Sequence, residues 1–211
     1  MTEKILSFDQ QKKLIRDFKK NPNNSIFEFL NWKKISLQKL SNRFIDAFKE
    51  KLDWQNLSQN KFVDLSIYRK YKEKVYWESV SGRKNLTEEF IREFADKVNW
   101  DIISEQKLSE EFIKEFSDKV SWLYICYHSN LSEDFIEEFQ NEVDWYGICS
   151  YQKLSLDFMR KFSHKLHWYN LYYNQKLSCK FIKEFSDQIV FDNIPLCFFN
   201  IKHESSWSSF L

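Results

Sequence analysis

The residues whose chemistry would stand out most in this chain are four cysteines and a pair of histidines. Cys126 and Cys149 lie 23 residues apart, while Cys179 and Cys197 match neither that spacing nor each other. There is no CxxC pair of the kind that opens a zinc or thiol-redox site. His164 and His167 form an HxxH, which places two imidazoles on one helical face. Metal sites want three or four ligands, and no third is in view. With Gly82 and Gly147 the only glycines, neither a phosphate-cradling GxGxxG nor a P-loop can be written. HExxH, GxSxG and a convergent His/carboxylate set are also missing. The expectation is a non-enzymatic chain that uses no cofactor and no metal.

Charge and composition narrow the partners. Lys and Arg number 32 and Asp and Glu 31, for a net charge of +1, and both signs run along the whole chain. No basic stripe or tail is evident, so nucleic acid is not an expected partner. The longest apolar runs, Trp122–Tyr127 and Ile194–Phe199, are too short to span a bilayer, and the first residues lack an apolar signal core. These features predict a cytoplasmic protein with reduced thiols and no membrane partner. Aromatic residues make up 18% of the chain, which is ample for a core, whereas two Gly and two Pro are too few for a turn-rich sheet.

The elements that must position any site are repeats. LSEEFIKEFSDKVSW, LSEDFIEEFQNEVDW and LSLDFMRKFSHKLHW begin at Leu108, Leu131 and Leu154, and divergent copies begin at Leu40, Val63, Leu86 and Leu177. Successive starts are 23, 23, 22, 23, 23 and 23 residues apart. Counting the first residue of each copy as offset zero, offset one is Ser41, Asp64, Thr87, Ser109, Ser132, Ser155 and Ser178, every one a strong helix N-cap. Offsets four, five, eight and twelve are apolar, as in Phe112, Ile113, Phe116 and Val120, and predict a helix of about three turns. Offset fourteen is Trp54, Trp77, Trp100, Trp122, Trp145 and Trp168, then Phe191, and offset seventeen is apolar again. A second cap-like residue (Asp53, Asn99, Ser121, Asp144) precedes the Trp, so a second, shorter helix follows. The fold class predicted is all-α, an α-solenoid of seven long-helix/short-helix repeats. Offsets four, eight and fourteen are aromatic at every position but Ile67, which marks them as core rather than as a cofactor box.

Three regions follow: an N-terminal cap with a half repeat over 1–39, the seven copies over 40–199, and a C-terminal cap or tail over 200–211. In the first, Ser7 and Gln10 make a capping-box pattern, and Trp32, Ile35 and Gln38 match the second half of a copy. A capped N-terminus speaks against end-to-end assembly, so a monomer or weak oligomer is expected. The unit LSxxFIxxFxxxVxWxxIS resembles short tandem α-helical repeats in uncharacterised proteins of large DNA viruses and bacteriophages. That resemblance implies the solenoid and a viral source, with a role in contacting host proteins, and brings no activity with it.

Residues that serve the stack recur, so a partner site should break the pattern. Cys126 and Cys149 sit at offset eighteen, where earlier copies carry Ser58, Ser81 and Ser104, and read as small packing residues. His164 and His167 read as surface residues near a helix end, and acids at offset ten beside lysines at offset eleven as a solvated face. The clearest departure lies at offsets fifteen to twenty. Early copies carry Gln55, Asn56, Ser58, Gln59 and Asn60, then Glu78, Ser79, Gly82 and Arg83, off the core stripe. Copies four to six carry Leu123, Tyr124, Tyr127 and His128, then Tyr146 and Tyr151, then Tyr169, Tyr172 and Tyr173. Tyrosine combines a large face with a polar tip at low entropy cost, which interfaces exploit. Two roles fit this band: the docking face of a protein-interaction scaffold whose partner is another protein, or a stacking surface for a small ligand or nucleotide. Packing between neighbouring short helices is the plain alternative.

Overall fold

A computed structural model describes residues 5–175, 177–185 and 188. The expectations for Phe191, Ile194, Cys197 and the closing segment 200–211 lie outside the described residues. Among the described residues every element is helical, and the fold is an all-α repeat solenoid. Helix α1 (Phe8–Lys20) is capped by Ser7, whose hydroxyl accepts from Gln10 N while the Gln10 side chain accepts from Ser7 N. A 3-10 turn at Ser25–Phe27 and α2 (Trp32–Ser36) form the half repeat. The first helices of the copies are α3 (Asn42–Phe48), α5 (Leu65–Lys70), α7 (Glu88–Glu93), α9 (Glu110–Glu115), α11 (Glu133–Glu138), α13 (Leu156–Lys161) and α15 (Cys179–Glu184). The second helices are α4 (Trp54–Gln59), α6 (Trp77–Ser81), α8 (Trp100–Ser104), α10 (Trp122–His128), α12 (Trp145–Tyr151) and α14 (Trp168–Asn174). The chain divides into two compact units, Met1–Leu108 with Phe112–Val120 and Ser109–Glu111 with Ser121–Leu211. No helix of the described residues is long and apolar enough to cross a membrane.

Offset one caps as its residue type requires. Ser41, Thr87, Ser132, Ser155 and Ser178 each accept from the backbone N–H three residues on, and Asp64 from the one two residues on. Asp53, Asn99 and Asp144 do the same for the second helices. The predicted three-turn first helix is shorter in fact. It runs six or seven residues, and in most copies the offset-eight aromatic ends it: Tyr71, Phe94, Phe139, Phe162 and Phe185 sit at φ between −106° and −122°. One separate turn then carries the chain to offset twelve, as where Lys119 N and Val120 N both donate to Phe116 O. The long and short helices are therefore nearly equal in length.

The break explains the tryptophan. It leaves the carbonyl of offset nine without a helical donor, and the indole N–H of offset fourteen reaches back five residues to it. Trp54 donates to Lys49 O, Trp77 to Lys72 O, Trp100 to Ala95 O and Trp145 to Gln140 O, at 2.8–3.1 Å. Trp32 repeats the bond to Phe27 O in the half repeat. The same ring then stacks on the aromatic pair of the following copy. Centroid distances are 4.5 Å for Trp77–Phe94 and 4.8 Å for Trp100–Phe116 in the first unit, and 5.0 Å for Trp122–Phe139 and 5.4 Å for Trp145–Phe162 in the second. Offset-four and offset-five residues fill the interior: Phe44, Ile45, Phe90, Phe112, Ile113 and Ile136 are 0% exposed.

Polar residues lock one copy to the next. Ser58 Oγ donates to Trp54 O at 2.6 Å and accepts from Tyr76 N of the following copy at 3.0 Å. Ser36 and Ser81 make the same two bonds, the latter to Asn99 N. On the solvent side, opposite charges meet at offset six of one copy and offset seven of the next. Lys70 pairs with Asp46, Arg69 with Glu93, Arg92 with Glu115, Lys161 with Glu137 and Arg160 with Glu184. Exposed pairs of this kind add little stability.

A tyrosine-rich helical face in copies four to six

The candidate residues all fall on α10, α12 and α14 of the second unit. These helices run seven residues each, against five or six for α2, α4, α6 and α8. Their sequences are WLYICYH, WYGICSY and WYNLYYN, 21 positions with no Asp, Glu, Lys or Arg in a chain that is 30% charged. Helix α12 packs against both α10 and α14. Ile125, Ile148 and Leu171 point inward at 0% exposure. Offsets fifteen and nineteen are one turn apart on the opposite side.

On these three helices, that side carries the large exposed residues. Tyr169 is 63% exposed, Tyr151 58%, Tyr173 53%, and Tyr146 and Leu123 49%. His128 is exposed as well, while Tyr124, Tyr127 and Tyr172 are half-buried. Ring contacts tie the band together along and across the helices. Tyr124 stacks on His128 at 6.4 Å, Tyr169 meets Tyr173 at a tilt at 4.7 Å, and Tyr172 meets Tyr173 edge-on at 5.4 Å. Between copies, Tyr127 meets Tyr151 at 4.6 Å, and Tyr146 meets His167 at 5.8 Å. The band thus divides into exposed rings and rings that support them.

Tyr127 belongs to the support. A Cβ added at Gly147 would stand 2.8 Å from its ring and 3.0 Å from Cys126 Cβ, so only glycine lets the ring lie on α12. Burial is the main cause that pushes the Tyr127 hydroxyl above its ordinary value, with Asp144 adding to it, and burial likewise raises Tyr173. Both hydroxyls stay protonated donors at neutral pH.

The thiols beneath this face are buried and held protonated. Cys126 and Cys149 are 0% exposed. Burial pushes the first to about 12 and the second to about 11. Cys149 Sγ accepts from His167 N at 3.3 Å, so it replaces the offset-eighteen serine in the latch. His164 and His167 are exposed, and no cluster of three or more metal-ligating side chains occurs among the described residues.

Sequence reasoning missed the buried polar residues that close the loops. Gln152 donates to Cys126 O and Ser129 O and accepts from Leu131 N. Asn60 donates to Ser36 O and Gln38 O, and Arg83 to Val63 O at 2.9 Å with its guanidinium over the Tyr68 ring. Asn60 and Arg83 are each 4% exposed, so these early-copy residues are buried anchors, a correction to their place in the polar set off the core stripe. The place of Arg83 at offset twenty, beside Asn60 and Gln106, was the available signal, since each of the three can donate to a carbonyl. Comparison of the chain with family models, curated proteins and solved structures returns no match.

Proposed function

We propose that the chain is a non-enzymatic protein-interaction scaffold whose docking face is the tyrosine-rich side of α10, α12 and α14. The observation that carries this reading is the exposure of Leu123, Tyr146, Tyr151, Tyr169 and Tyr173 together on three packed helices without a charged side chain. Interface cores are depleted in charge and enriched in tyrosine. The array needs none of these rings for its own stacking, because the Trp/Phe triangles and the offset-eighteen latch recur in copies that lack them. Helices packed about 8–10 Å apart carry such a face over about 20 Å, which suits the buried centre of a standard interface.

The test is affinity capture from a lysate with the wild-type chain and a Tyr151→Ala, Tyr169→Ala, Tyr173→Ala variant. All three are more than half exposed, so the variant keeps its dichroism spectrum and urea midpoint. The matched control is Gln55→Ala, Glu78→Ala, Asp101→Ala, three exposed residues at offset fifteen of earlier copies. A partner retained by wild type and control but lost by the tyrosine variant is the expected result. A partner held equally by all three sinks the assignment of the face.

A further inference from the structure

Among the described residues, copy one is the copy without a charged side chain at the ladder's offset seven. At offset seven, Lys70, Glu93, Glu115, Lys161 and Glu184 each meet an opposite charge from the copy before. Copy one carries Ala47 there. The helix packed against the first helix of copy one is α1, and it brings cations rather than a matched pair. Lys12, Arg16 and Lys19 lie at spacings of four and three on one side of that helix. With Arg43 and Asp46 from α3, they line a groove of about 880 Å³ whose apolar floor includes Ile15 and Ala47.

The groove's own acids do not neutralise it. Asp46 is engaged by Lys70 at 2.8 Å and by the Tyr71 hydroxyl at 2.7 Å, and Asp9 lies 3.6 Å from Lys12. Arg16, Lys19 and Arg43 make no ion pair among the described residues, whereas Arg69, Arg92 and Arg160 each bond a carboxylate of the neighbouring copy. We propose that the groove between α1 and α3 docks an acidic segment of a partner protein, one of whose carboxylates lies over Ala47, where later copies carry a charge, and pairs with the cations of α1 and α3. A guanidinium holds a carboxylate through two parallel bonds, and the ladder already uses that pairing at Arg160 and Glu184. Asp9 and Asp46 on the rim disfavour a continuous polyanion such as a nucleic-acid backbone, but leave single carboxylates free to enter. This site lies in the first unit and does not depend on the tyrosine face.

The probe is a fluorescein-labelled peptide of alternating Glu and Ala, about 12 residues long and so about 18 Å as a helix, the span of α1. Its anisotropy is followed against the full chain at low and high salt, beside the same peptide with Gln for Glu. Saturable binding that weakens with salt and falls about tenfold for the Gln peptide is expected. Arg16→Ala with Arg43→Ala should weaken the Glu peptide by at least about tenfold. Ala47→Glu should do the same by supplying that carboxylate from within, with the thermal midpoint unchanged or raised. The tyrosine variant should bind the peptide as wild type does. Absence of binding to wild type, or equal binding by Ala47→Glu, overturns the proposal. So does a single-stranded oligonucleotide of like length that binds more tightly than the peptide and is displaced by Ala47→Glu.

Discussion

Replacing Ser58 with alanine separates a hydrogen-bonded latch from simple packing at offset eighteen. Ser58 is 0% exposed and its hydroxyl carries two bonds, one within α4 and one to the Tyr76 amide that opens the next copy. Alanine removes little volume, so packing alone predicts a change within about 0.5 kcal/mol. The latch predicts more, because the Tyr76 N–H loses its acceptor inside a part-buried seam. A stranded donor costs about 1–3 kcal/mol, and the middle of that range, about 2 kcal/mol, is expected here. In a chain of this length that lowers the thermal midpoint by about 4–8 °C. Cysteine is the informative comparison. Cys126 and Cys149 occupy the slot natively, and Cys149 Sγ accepts the matching amide at 3.3 Å. Ser58→Cys should therefore lose less than Ser58→Ala although it changes the volume more. Urea unfolding gives the energies, and hydrogen exchange of the Tyr76 amide reads the latch directly. Equal losses for Ala and Cys, or Tyr76 protection unchanged in Ser58→Ala, would refute the reasoning.

Three further perturbations test other joints. Gly147→Ala should cost about 1–3 kcal/mol and shift the Tyr127 ring resonances, since the new Cβ meets that ring at 2.8 Å. Trp145→Phe keeps a ring against Phe158 and Phe162 but loses the bond to Gln140 O, so it should cost about 1 kcal/mol; Trp145→Ala should cost about 3 kcal/mol, the low end for a half-buried aromatic, by urea midpoint. Burial holds the Cys126 and Cys149 thiols at about 12 and about 11 against an ordinary thiol value of 9.0, so their contribution is fully present below pH 9.0 and is lost as pH rises towards and through those values. Cys126→Ser with Cys149→Ser should therefore unfold less readily than wild type at about pH 10.5 and alike at about pH 8, and alkylation of both thiols should require urea.

The repeat, its caps and its aromatic core were legible because they rest on local chemistry written many times over. A serine at offset one has one strong use at the start of a helix, and every copy that shows its capping bond uses it so. The helix break at offset eight was not legible. Nothing in the residue type of Phe94 or Phe139 forbids a continuing helix, and the break is held by an indole six residues later. Nor were the rungs that join copies, since Arg69 and Glu93 stand 24 residues apart and only stacking brings them together. The tyrosine band was legible as a departure from the pattern. Its division into exposed Tyr151 and supporting Tyr127 was not, because that depends on the close approach permitted by Gly147.

The second helix shows why the band sits where it does. Offset fourteen is committed to the indole bond and the ring stack, seventeen to the interior, and eighteen to the latch. In copies one to three, offset twenty is committed as well, through Asn60, Arg83 and Gln106 reaching back to the loop before. In copies five and six that task passes to offset twenty-one, where Gln152 and Gln175 reach the preceding loop. In these copies offset twenty falls inside a seven-residue helix. That helix presents offsets fifteen, nineteen and twenty, none of which the stack requires. Tyrosine accumulates at those offsets in copies four to six, and in copies five and six this coincides with the change of loop anchor.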